Sequence, residues 1–298
     1  GVKEVTFWAR KDFNSGIRDQ SLNYETGITC LMGRDWTVRN NHVWNAFEAL
    51  SSRSTTSSDN ARIHDNIFEK LLDNAVEADD HSTNLRVYRN LIRDTFGPLS
   101  WQPLENEPWP GPFYCYQNVI YNTPEHAAAF AFRKPSVFKI GATGAGKTYG
   151  TGYVTKVPEP GLMFFNNTIL WDGGCLFWGA IWGNNPDKVK LYNNIILTEF
   201  NLPAGWTEKW RFLTIENNLC VPKIPVEGLD SETVSSLDAL RLGSIGSLPL
   251  RPLADSPAVG KAIAVKGMEA QLKDIGALQT GDDWYPPKVG PRIATEVK

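Results

Sequence analysis

The sequence predicts an all-β chain wound as a parallel β-helix of about eight coils, and three observations carry that expectation. First, a six-residue pattern, apolar-any-any-Asn-any-apolar, recurs as VRNNHV, IHDNIF, VYRNLI, CYQNVI, FFNNTI, LYNNII and IENNLC, with its asparagine at Asn41, Asn66, Asn90, Asn118, Asn167, Asn194 and Asn218. Second, the intervals are 25, 24, 28, 49, 27 and 24 residues, close to one period and one double period. Third, the runs between corners are short, β-branched and aromatic, with no helical stripe, which excludes the helical solenoids. What remains is one coil per repeat, with equivalent strands stacked about 4.8 Å apart.

Each segment follows from this in chain order. Residues 1–27 contain no corner and are expected to form an N-terminal cap or a truncated first coil. Residues 28–220 are the coils, and the repeated asparagine is expected to turn inward, where a carboxamide can bond its neighbours above and below. The 49-residue interval implies a hidden copy, which FKIGAT supplies with Gly141 in the asparagine slot. Directly there, GATGAGKT at 141–148 fits the phosphate-loop pattern. That loop needs a helix opening at its lysine, and the TYGTGYVTKVPEP that follows, with its glycines and prolines, does not favour one. No nucleotide is therefore expected. Residues 221–298 are expected to pack along the outside as a C-terminal capping segment of the same domain, covering the last open edge.

The totals narrow the partners. A net charge of -3 gives no basic field for nucleic acid. No apolar run is long enough for membrane insertion, and no signal peptide stands in the chain. Four cysteines at 30, 115, 175 and 220 have no paired spacing, so they read as buried thiols rather than a zinc site. Eleven tryptophans suit either a core or the stacking surfaces of a sugar cleft.

Two repeats are alike beyond their corner. NAFEALSSRS from Asn45 and NAVEADDHST from Asn74 align residue by residue. With period 2, Phe47, Ala49, Val76 and Ala78 are expected inward and Glu48, Glu77 and Asp79 outward, with Glu48 stacked on Glu77 about 5 Å away and Asp79 about 7 Å along the strand. Asp80 and His81 end that strand, and His81 is the one histidine placed to exchange a proton. The same alignment offers Trp101, Arg133, Lys134 and Trp178 as neighbours, with Trp109 in the long turn QPLENEPWPGP walling one side. Each has a plainer reading: solvated charges on a sheet, a structural calcium at EADDH, surface cations, or packed indoles.

The I-x-x-N-x-I corners resemble those of the right-handed parallel β-helix proteins of the pectate-lyase-like superfamily, and DSPAVGKAIAV through KDIGALQ looks like the closing segment of many bacterial secreted members. The resemblance implies a right-handed helix, a carbohydrate-active protein, a cleft on the outer face of the sheet after the corner, and a secreted, cell-surface or periplasmic location. It carries over no catalytic residue. Three functions stay open. A glycoside hydrolase acting on a polysaccharide would use paired carboxyls among Glu48, Glu77, Asp79 and Asp80 and need no cofactor, a spacing near 5 Å suiting retention and one above about 6.5 Å inversion. A polysaccharide lyase would hold Ca2+ on Glu77, Asp79 and Asp80 and use Arg133 or Lys134 as base. A non-catalytic, adhesin-like β-helix would bind glycan on its tryptophans. The excess of acids over bases in the EADDH repeat favours the hydrolase.

Overall fold

The computed structural model describes residues 26–28, 33–51, 58–78, 82–101, 111–130, 135–140, 158–178, 188–197, 213–221, 230–233, 236, 238–245, 248–268 and 271–289. Among them the chain is mostly strand, with one short helix, Pro124–Ala129, and one 3-10 turn, Asp238–Leu240. Among the described residues all strand pairings are parallel except one, a small antiparallel sheet of Leu242–Ile245 and Leu248–Pro252. The fold is a parallel β-solenoid.

Each coil lays its strands on three walls. The first wall stacks Thr37–Arg39, Arg62–His64, Leu85–Tyr88, Phe113–Tyr116, Leu162–Phe165, Val189–Tyr192 and the start of Leu213–Val221. The second stacks His42–Trp44, the first part of Ile67–Glu77 and of Leu91–Trp101, then Val119–Tyr121, Thr168–Leu170, Ile195–Leu197 and the end of Leu213–Val221. The third stacks Thr26–Ile28, Glu48–Ser51, the ends of Ile67–Glu77 and Leu91–Trp101, Ser136–Ile140 and Cys175–Trp178. From the coil of Asn41 to the coil of Asn167 all three walls are present, which makes about four full turns and not eight coils. The first two walls continue through the rungs of Asn194 and Asn218.

The overcount has a definite cause. Asn118 donates from Nδ2 to Asn167 Oδ1 at 3.0 Å, so the corners on either side of the 49-residue interval are neighbours. No coil is hidden between them. FKIGAT does not supply a corner: Phe138 and Ile140 lie on the third wall, in register with Leu99 and Trp101, and the chain reaches Gly141 from that wall. The phosphate-loop match at 141–148 lies outside the described residues.

The corner asparagines do form a column. Nδ2 of Asn41, Asn66, Asn90, Asn118 and Asn167 each donates to Oδ1 of the next at 3.0 Å, and Asn194 to Asn218 at 2.8 Å. The same Oδ1 atoms accept the backbone N–H one rung back, and further Nδ2 bonds reach wall carbonyls such as Val38, Ile63 and Val87. The turn is made by the residue just before, which is left-handed in every rung: Asn40, Asp65, Arg89, Gln117, Asn166, Asn193 and Asn217 have φ between 51° and 60°. Asn and Asp tolerate that conformation best. It explains why so many corners read Asn-Asn. The second asparagine faces in and joins coils, while the first supplies the bend.

Between the walls lies one continuous core, built from inward columns such as Val38, Ile63, Val87, Cys115, Phe164 and Leu191 of the first wall. The second wall is covered from outside by the tail: Leu250, Ala277 and Leu278 pack on Leu91, Val119 and Tyr121, and Leu240, Ala258 and Ile275 on Ile195 and Leu219. The outer asparagines hold it there. Asn217 Nδ2 donates to Lys261 O (2.7 Å), Asn193 Nδ2 to Ile263 O (2.9 Å), Asn166 Nδ2 to Asp274 O (2.7 Å) and Asn40 Nδ2 to Lys288 O (2.8 Å). At the crossing, Gly276 has φ 95°, and a Cβ there would come within 2.6 Å of Ile195 Cδ1, so only glycine fits.

Candidate functional site

The third wall is where the sequence placed the chemistry, and its register can be read rung by rung. Leu50, Val76, Leu99 and Phe138 share one column and belong to the core. Alternation therefore turns Glu77, Ser100 and Lys139, one residue on, to the outer face, at the register position of Ser51 and Trp178. From Glu77 to Lys139 the column runs carboxylate, hydroxyl, ammonium along consecutive rungs. Glu77 and Lys139 are two rungs apart, about 9.6 Å between backbones. Glu77 is 5 % exposed and Ser100 fully buried, while Lys139 is half-buried.

Two expectations are corrected here. Glu48 does not stack on Glu77: Ser51 does, which shifts the two repeats by three residues from their sequence alignment. Glu48 lies two residues before Leu50, shares its inward face and is fully buried. The physical reason is the length of the second wall, which the sequence similarity of NAFEAL and NAVEAD does not encode. A retaining pair of Glu48 and Glu77 is therefore not formed. Trp101 likewise is a core residue, fully buried, with its ring centroid 6.4 Å from that of Phe113 on the opposite wall. The exposed indoles among the described residues are Trp36, 48 % exposed, and Trp44, 51 % exposed, with Trp284 partly buried. Asp79, Asp80, His81, Trp109, Arg133 and Lys134 lie outside the described residues, as does the side chain of Trp178. Of the three carboxylates considered for Ca2+, only Glu77 is described, and no group of three or more metal-ligating side chains occurs among the described residues.

The outer face of the first wall carries a second periodic feature beside the corners. One column reads Arg39, His64, Tyr88, Tyr116, Phe165 and Tyr192. Its rings stack face to face: His64 on Tyr88 at 4.6 Å and 10°, Tyr88 on Tyr116 at 4.9 Å and 7°, Tyr116 on Phe165 at 4.9 Å and 9°. The neighbouring column reads Thr37, Arg62, Arg86, Tyr114, Met163 and Lys190. The tail covers its far half, where Val265 and Met268 pack on Tyr114, Met163 and Phe165. Burial raises the Tyr116 phenol to about 12. The signal was present in the sequence: two residues before the corner asparagine, six of the seven corners carry an aromatic or basic residue, Arg39, His64, Tyr88, Tyr116, Phe165 and Tyr192.

On the second wall, Glu69 is bonded by His42 Nε2 at 2.8 Å and by Arg93, whose Nη1 donates to the Tyr121 hydroxyl at 3.2 Å. Every charge in that group is paired, as expected for a structural network. Cys115, Cys175 and Cys220 are free and buried; burial pushes the Cys220 thiol up to about 12 and the Cys115 thiol well above its usual value, so neither is a nucleophile. No helix among the described residues is long and apolar enough to cross a membrane, which does not bear on strands. Comparison of the chain with protein-family models, with curated proteins and with solved structures finds no match.

Proposed function

We propose that the protein cleaves an extended polysaccharide lying along the rungs of the third wall, as a glycoside hydrolase with Glu77 as one of its carboxyls. The observation that supports this is the column in which Glu77, Ser100 and Lys139 follow one another at single-rung spacing, with Lys139 half-buried, Glu77 5 % exposed and Ser100 buried between them. With the Glu48 pairing gone, the partner carboxyl comes from the adjacent EADD run, Asp79 or Asp80. One carboxylic acid would protonate the glycosidic oxygen as the C–O bond breaks, and the other carboxylate would take a proton from the attacking water. The inward asparagine ladder supports placing the chain with the right-handed β-helix proteins of the pectate-lyase-like superfamily. Trp178 and Trp109, with Arg133 and Lys134, would line the glycan, and a secreted or cell-surface location follows from such a substrate.

Lys139 supports a second reading, a lyase. There the ammonium, once deprotonated, would be the base that removes the C5 proton of a uronate, while Glu77, Asp79 and Asp80 hold Ca2+. Incubation with neutral and uronic polysaccharides, with and without chelator, separates the two. New reducing ends without absorbance near 235 nm are expected, and they should fall at least a hundredfold in Glu77→Gln. Chelator-sensitive absorbance lost in Lys139→Gln would replace the hydrolase with the lyase, and full turnover in both variants would remove the third wall from the chemistry.

A further inference from the structure

The arginine column of the first wall has no use in the chemistry of the third. Arg62 and Arg86 are direct neighbours in register, one rung apart, and Arg39 lies one rung before Arg62 in the adjacent column, two residues after Arg62's register partner Thr37. Among the described residues none of the three is ion-paired. The carboxylates closest along the chain to Arg62 and Arg39 are already bonded elsewhere: Asp65 accepts from Arg89 at 2.6 Å and from His64 Nδ1 at 2.7 Å, Asp59 accepts from Arg34 at 3.3 Å and from Thr83, and Asp35 accepts from Asn60 Nδ2 at 2.5 Å. Arg86 instead rests over the Tyr114 ring at 5.4 Å and reaches Asn60 Oδ1 at 3.3 Å. Arg39 and Arg62 are exposed. Like charges one rung apart repel, and among the described residues no ion pair offsets the repulsion between Arg62 and Arg86.

The geometry points to a second binding surface, on the first wall, for an anionic glycan whose carboxylates or sulfates are held by Arg39, Arg62 and Arg86. Guanidinium forks match such groups bidentately. The rings beside them decide against nucleic acid. His64, Tyr88, Tyr116 and Phe165 spend their faces on one another, and only Tyr88 and Tyr116 are half-buried, the other two being buried, so the column offers phenol edges and hydroxyls rather than the open faces on which bases stack. Hydroxyl edges beside guanidiniums suit a polyhydroxylated anion. This surface does not depend on the catalytic reading of the third wall, because it is tested by equilibrium binding alone.

The test is affinity electrophoresis, confirmed by calorimetry, against a polyuronate, a sulfated glycan, a neutral β-glucan and a single-stranded oligonucleotide at low salt. The wild type should bind at least one acidic glycan, the uronate and sulfate arms identifying which group it reads, and should bind neither the neutral glucan nor the oligonucleotide as tightly. Arg62→Gln with Arg86→Gln should weaken that binding at least tenfold and flatten its salt dependence, with the unfolding midpoint unchanged. Arg62→Lys with Arg86→Lys should retain most of the charge-dependent part. Loss of turnover in Glu77→Gln and loss of binding in the Arg62→Gln, Arg86→Gln variant are separate readouts, so the two surfaces fail or stand separately. No acidic glycan bound, equal binding of the neutral glucan, tighter binding of the oligonucleotide, or full affinity in the Gln double variant would each overturn the proposal.

Discussion

Removing one carboxamide from the middle of the asparagine column should cost far more than removing the one at its end. Asn118 is fully buried and its Nδ2 donates to Asn167 Oδ1 at 3.0 Å, Val87 O at 3.0 Å and Tyr116 O at 3.1 Å, while its Oδ1 accepts from Asn90 N at 3.1 Å and Asn90 Nδ2 at 3.0 Å. Alanine leaves those partners in a cavity with nothing to bond. At about 1 kcal/mol net per bond, rising for groups left buried and unpaired, Asn118→Ala should lose roughly 4 kcal/mol. Asn41 is partly exposed and donates to Asn66 Oδ1 and to Arg39 O, both at 3.0 Å, and water can replace those bonds. Asn41→Ala should cost about 1 kcal/mol. Asn118→Asp should be no better than alanine, because a carboxylate cannot donate to the Val87 and Tyr116 carbonyls or to Asn167 Oδ1. Urea unfolding followed by tryptophan fluorescence and far-ultraviolet dichroism measures all three. If Asn118→Ala and Asn41→Ala fall within about 1 kcal/mol of each other, the ladder is a consequence of the stacked coils and not a cause of their register.

Two other perturbations follow from the same coordinates. His126, in the helix Pro124–Ala129, is fully buried against Phe130 and Trp171, with ring centroids at 4.8 and 5.8 Å, and burial lowers its imidazole from 6.5 to about 4. Between those values the unfolded chain binds a proton that the folded one does not, so this contribution is whole above about pH 6.5 and is lost as pH falls toward 4. The loss is about 3 kcal/mol in all. His126→Phe should flatten the acid limb of a stability–pH profile, and an unchanged limb would show that other groups set it. Gly276→Ala forces a side chain toward Ile195 at a left-handed backbone position, and should cost about 2 kcal/mol. It should raise hydrogen exchange at Ala277 N, which donates to Thr168 Oγ1 at 2.9 Å, before it affects the asparagine column. Uniform loosening of the coils instead would mean that the tail does not open independently of them.

The solenoid was legible in the sequence because its signal is local and repeated. Each corner needs a left-handed residue followed by an inward carboxamide, and both needs select residue types at a fixed spacing in every coil. Asn166–Asn167, Asn193–Asn194 and Asn217–Asn218 satisfy both at once, so the column could be read without coordinates. The stacked rings of Tyr88, Tyr116 and Phe165 were equally periodic, at two residues before the asparagine, and could have been found in the same way.

The placement of Glu48 and Glu77 was not legible, because register on the third wall is set by how many residues the second wall and its corner consume. That number is fixed by packing and not by resemblance between segments. Likewise, Asn118 and Asn167 are far apart in sequence and yet adjacent, since a solenoid can extrude residues from one wall without adding a rung. Sequence determined which residues turn the chain and which of them face in, because backbone conformation and buried hydrogen bonding are short-range demands. Tertiary structure alone decided which side chains share a column, because a neighbour one rung away is defined by the closure of a whole turn.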